Sequence, residues 1–128
     1  MKRLLTILLS LTLTLTLALA GPKKGINFDS YYMQLGMDAL KNGQIEEALQ
    51  SFEKVLQGDS TNGYAHFWIG IGLADKGEVD ASLTAINNAL TYLPKKEKSY
   101  LSSAYGVRAE VYLIKQDTTA ALDDYAKA

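Results

Sequence analysis

A period of 34 residues constrains this chain more than any other feature. Gly36, Gly43, Phe52, Val55 and Leu56 recur 34 positions later as Gly70, Gly77, Ile86, Ala89 and Leu90. Small residues in the first half of each unit and apolar ones in the second predict two helices joined by a tight turn. One such unit cannot bury its own apolar face, so successive units must stack into a solenoid. The expected fold class is therefore all-α, with about three antiparallel helix pairs.

The glycines mark where helices stop. A first helix is expected to start near Asp29 or Ser30 and to end at Asn42-Gly43. Either side chain can accept from the free amides of a first turn, and glycine permits the left-handed residue that ends helices. Tyr32, Leu35, Gly36 and Ala39 share one face of it. The next helix opens with Glu46 and Glu47, where the helix dipole favours acid, and ends at Gly58. Ala48, Leu49, Phe52, Val55 and Leu56 form its apolar face at spacings of three and four. A second pair is expected over about 61–76 and 79–92, bounded by Gly77 and Pro94. Glu78 and Asp80 again supply the opening acids.

A third pair is out of step. Ala109 stands in the place of Gly36 and Gly70, but it follows Gly70 by 39 residues. The five additional residues fall in Lys95-Lys96-Glu97-Lys98-Ser99, read as a charged linker. Tyr105, Arg108, Ala109 and Tyr112 restate the first-helix face, Asp117-Thr118 begin the last helix, and Ala121, Leu122 and Tyr125 restate the second-helix face. Connections of a few residues force each pair to pack antiparallel.

These residues resemble the tetratricopeptide repeat. Tyr32-x-x-Leu35-Gly36 with Ala48-x-x-x-Phe52 carries the likeness in the first unit. Ile69-Gly70, Ala89 and Pro94 carry it in the second, with His66, Leu73 and Ser82 as departures. Arg108-Ala109-x-x-Tyr112 with Ala121-x-x-x-Tyr125 carries it in the third. The units are bounded at about 29–62, 63–96 and 102–128. In physical terms, Gly36, Gly70 and Ala109 let the helices of a pair approach, Ala48, Ser82 and Ala121 offer the matching small surface, and Phe52, Ile86 and Tyr125 fill the space beside it.

The N-terminus reads as an address. Lys2 and Arg3 precede an apolar run over residues 4–19, and Ala18-Leu19-Ala20 offers a signal peptidase small residues before Gly21. Residues 1–20 are expected to be a cleaved signal and 21–28 a flexible leader. The rival assignment, a retained anchor, is disfavoured because Thr6, Thr12, Thr14 and Thr16 dilute a run already short of the ~20 residues of a span. The expected location is therefore outside the cytoplasm, in the periplasm or at the cell envelope, without stable membrane insertion after cleavage. With no Cys in the chain, no disulfide framework can support it there.

Charge then excludes some partners. Loss of Lys2 and Arg3 from 13 basic and 14 acidic residues leaves a mildly acidic chain without a basic patch, so nucleic acid is not an expected partner. The single histidine, His66, sits where the repeat has a packing residue, and one His without Cys makes no metal site. The pairs Glu46/Glu47 and Asp123/Asp124 fall near helix starts or on solvent faces, where they lack the convergence acid–base work needs. No enzyme activity, catalytic residue or cofactor is expected.

What the resemblance implies is protein binding. In this family the concave groove is lined by the first helix of each pair, which here points to Met33, Met37, Tyr64, Phe67, Trp68, Ile71, Val107 and Glu110, with Gln34 and Ile114 beside them. Methionine and aromatics suit an adaptable peptide-binding surface; the competing assignment packs some of them against a neighbouring helix or against the leader segment Ile26–Phe28. The family's carboxylate-gripping cations are absent: Met33, Met37, Trp68, Ile71, Ser103 and Val107 occupy those places. The expected function is thus an exported protein-binding adaptor or scaffold that engages a partner protein or peptide in an apolar groove. The alternative is a structural module, self-associating through its C-terminal helix or forming a fragment of a longer array, with no separate ligand.

Overall fold

The same turn closes all three helix pairs, and it sets the architecture. Gly43 (φ 74°) and Gly77 (φ 79°) adopt the left-handed conformation, and Gln116 (φ 63°) repeats it in the third pair. Around them the hydrogen bonds superimpose. Gln44, Glu78 and Asp117 each donate their backbone N–H to the carbonyl five residues earlier, of Ala39, Leu73 and Tyr112, at 2.8, 2.9 and 2.8 Å. This double-looped helix end reverses the chain within a few residues.

The computed structural model describes residues 28–128, so the expected signal (1–20) and nearly all of the expected leader (21–28) lie outside the described residues. Six helices follow: α1 Phe28–Lys41, α2 Ile45–Gly58, α3 Gly63–Asp75, α4 Val79–Tyr92, α5 Lys98–Ile114 and α6 Thr118–Lys127. α1 packs with α2, α3 with α4 and α5 with α6, while α2 against α3 and α4 against α5 join the pairs. The first helices also touch in a row, α1 to α3 and α3 to α5. The result is an all-α solenoid of three helix pairs. No helix among the described residues is long and apolar enough to cross a membrane.

Close approach at the crossings depends on the small residues. A Cβ on Gly36 would run into the ring of Phe52, and one on Gly70 into the side chain of Ile86. Ala48, Ser82 and Ala121 are fully buried opposite, and the Ser82 hydroxyl donates to the Gly70 carbonyl at 2.7 Å. Between the first two pairs, α2 leans on α3 at Leu49, whose Cδ2 would lie 3.1 Å from a Cβ on Gly72. Asn62 and Asp117 cap α3 and α6, accepting from Ala65 N and Ala120 N at 3.1 Å each.

The third pair departs from the sequence reading in three ways. α5 starts at Lys98, inside the expected linker and before residue 102, so part of the insertion is an added helical turn. Tyr125 does not fill the crossing: it is 44% exposed, and Leu122 is 65% exposed. Asp124, expected on a solvent face, is instead 2% exposed. A bidentate bond from Arg108 neutralises the charge that burial would otherwise forbid.

Candidate functional site

Aromatic residues of α3 and α5 meet where the first helices of the pairs line up. Tyr64, Phe67, Trp68 and Tyr100 form one edge-on cluster. Tyr100 lies 5.0 Å from Tyr64, 5.2 Å from Phe67 and 6.4 Å from Trp68 between ring centroids, and Phe67 lies 5.2 Å from Trp68. Near-perpendicular rings place positive edges against negative faces, a favourable arrangement for quadrupoles. Two depressions open on either side of this cluster, and Tyr100 lines both.

The depression between α3 and α5 has a volume of about 480 Å³ and is lined by Phe67, Trp68, Ile71, Tyr100, Val107 and the hydroxyls of Ser99 and Ser103. Phe67 forms its floor: at 4% exposed it belongs to the core cluster of Ile86, Ala89, Leu93 and Ala104. Trp68 packs against that cluster and also against the Phe52 cluster of the first pair, so it ties the pairs together. Its indole Nε1 is buried with no acceptor among the described residues.

The second depression, about 430 Å³, lies between α1 and the start of α3. Met33, Met37, Tyr64 and Tyr100 supply its apolar lining, and Asp29, Gln34, Asp59 and Asn62 its polar one. The Tyr64 hydroxyl donates to Glu97 Oε1 at 2.8 Å; that bond first, then burial, holds the phenol above its ordinary pKa. Asp59 accepts from the Thr61 hydroxyl at 2.7 Å and the Thr61 amide at 3.0 Å, and these bonds hold its carboxyl below the usual range.

Seven of the eight residues singled out from sequence therefore line one depression or the other. Met33, Met37 and Tyr64 fall in the depression between α1 and α3, and Phe67, Trp68, Ile71 and Val107 in the α3–α5 one. Glu110 is exposed and lines neither. Ser103, expected at a groove place where the family carries a cation, lines the α3–α5 depression, whereas Tyr100, Ser99, Asp59 and Asn62 were not anticipated. Tyr100 falls in the added first turn of α5, ahead of residue 102, where the third unit was expected to begin. The step from Tyr100 and Leu101 to Ala104 does carry helical spacing, and that is the signal which could have found it.

His66 has a packing role. Its ring stacks on Tyr92 at 5.7 Å, and a ring nitrogen lies 2.9 Å from the Ser60 carbonyl oxygen. Among the described residues no group of three or more His, Cys, Asp or Glu side chains could hold a metal ion.

No protein-family model matches the chain, and no curated protein matches its sequence. Among solved structures it is similar to the crystal structure of MamA protein, with a TM-score of 0.66 and 18% identity, over 78% of this chain and 52% of that one. The chain thus spans about half the length of that protein. At this identity the likeness speaks for the fold alone, which is a tetratricopeptide-like helical solenoid.

Proposed function

We propose that this chain is an exported protein-binding adaptor of the cell envelope, which holds a segment of a partner protein along the row formed by α1, α3 and α5. The observation that carries the reading is the apolar depression between α3 and α5. Its walls are aromatic and aliphatic, and its few polar groups are hydroxyls at the rim, the composition usual for sites that bury a partner's side chains. The basic start and apolar run of residues 1–20 support export. A tetratricopeptide-like solenoid suits a scaffold because its concave side is extended and rigidly held. The reading assigns no catalytic role: His66 is engaged in packing and Asp124 is neutralised by Arg108.

Capture from an envelope extract tests this reading. Ser103 is exposed on the rim, so Ser103→Arg fills the depression without touching the core. A partner held by the natural chain and lost by this variant supports the adaptor; a partner held equally by both removes the groove from the proposal. The mass of the chain recovered from cells tests export, with cleavage after Ala20 the expected result.

A second reading, self-association without a separate ligand, draws on one observation. Leu113, Ile114, Leu122 and Tyr125 are all exposed on the last helix pair. Dimers that persist in the natural chain and dissociate in Leu122→Ser would favour it.

A further inference from the structure

We infer that the partner segment presents a lysine or arginine beside a bulky apolar side chain, the cation seated between Tyr64, Tyr100 and Asp59 and the apolar group between Trp68 and Val107. This inference rests on the groove reading above and names the chemistry of its ligand.

The two depressions differ in character. The α3–α5 depression has no charged lining residue, so it accepts an aliphatic or aromatic group. The one between α1 and α3 combines two tyrosine rings with the carboxylates of Asp29 and Asp59. Glu97 stands behind it, bonded to the Tyr64 hydroxyl. Among the described residues, no Lys, Arg or His lines either depression. Electron-rich ring faces attract a cation, and adjacent carboxylates add to that attraction. An anionic side chain there would meet like charge, and a neutral polar one would forgo both terms.

Chain geometry links the two. Tyr100 lines both depressions, so they are neighbours across one ring. A segment with its cation in one and its apolar group in the other therefore needs only a few residues between them. The thioethers of Met33 and Met37 let the cationic side widen or narrow around the aliphatic stem of lysine or arginine.

The sole tryptophan of the chain, Trp68, lines the apolar depression and reports directly on its occupancy. The experiment uses chain purified from the envelope fraction of cells expressing all 128 residues. Its fluorescence is titrated with three capped peptides that share a Leu–Phe pair and carry two lysines, two serines or two glutamates. The expected result is tightest binding of the lysine peptide, with the glutamate peptide weakest. Asp59→Asn, which keeps an acceptor for Thr61, should weaken the lysine peptide about two- to fivefold and leave the serine peptide unchanged. Added salt should narrow the difference between peptides. Equal binding of all three overturns the charge inference and leaves the adaptor reading standing. Silence toward all three overturns the inference too, while partner capture with Ser103→Arg still decides the adaptor reading on its own.

Discussion

Arg108 closes on Asp124 as a fork: Nε and Nη2 each lie 2.7 Å from one carboxylate oxygen. Nη1 reaches back to Asn87 on α4 at 3.0 Å, so one guanidinium joins three helices of two pairs. Tyr105 and Tyr112 flank it at 5.4 and 5.9 Å from their ring centroids. The bond to Asp124, ahead of the tyrosines, holds the guanidinium pKa above its ordinary value. The same two register positions carry Leu35 with Ser51 in the first pair and Ile69 with Ala85 in the second. A large apolar residue over a small one has been exchanged for an ion pair.

Removing one member of that pair should be costly. Arg108→Ala leaves a buried carboxylate without its cation, and the loss should be about 3 kcal/mol in urea unfolding. Arg108→Ile with Asp124→Ala restores the pattern of the second pair and should recover most of it. A double variant as unstable as the single one would show that the ion pair has no apolar substitute here.

Glycines in the first helices should respond oppositely to alanine. Gly70→Ala drives a Cβ into Ile86 and should cost about 1–3 kcal/mol, even though alanine is the better helix former. Gly106, inside α5, has nothing within 4 Å of a built Cβ, so Gly106→Ala should stabilise by about 0.5–1 kcal/mol. Thermal denaturation of both variants checks the contrast. Equal effects would refute the close-crossing account.

Gln116 occupies the left-handed position that Gly43 and Gly77 hold in the other pairs. A side chain in that conformation costs roughly 1–2 kcal/mol, against which glycine loses some chain entropy on folding. Gln116→Gly should therefore stabilise by about 0.5–1 kcal/mol in urea unfolding, whereas Gly77→Ala should destabilise by about 1 kcal/mol.

The Tyr64 phenol should titrate late. Its bond to Glu97 raises the folded-state pKa, so its contribution to stability is fully present below the unfolded value of about 10 and is lost as pH rises through the folded one. Glu97→Gln should bring the phenol down toward that ordinary value. NMR titration of ring-labelled tyrosine, assigned with Tyr64→Phe, reads the change; an unaltered titration would exclude Glu97 as the cause.

How much was legible in the sequence follows the range of each interaction. Turns at Gly43 and Gly77 were legible because a left-handed residue is a local demand that glycine answers. The crossings at Gly36 and Gly70 were legible because a pair's helices meet at a fixed separation along the chain, 16 residues to Phe52 and to Ile86. In α5 the register failed, since an insertion can lengthen either a linker or a helix. Lys98 and Ser99 suit both, and only the packing of Tyr100 and Leu101 against the Phe67 cluster decides.

By itself, then, the sequence determined the helix pairs, their turns and the residues that let them touch, because each of these depends on neighbours at short, repeated spacings. Tertiary structure alone decided that Asp124 is buried and Tyr125 exposed, since an aspartate becomes a core residue only when a particular arginine reaches it. It likewise decided which apolar side chains of the first helices became core and which became wall. Phe67 and Trp68 are adjacent in the chain, yet the packing of α5 against α3 buries Phe67 as the floor of the depression and leaves Trp68 half-buried in its wall.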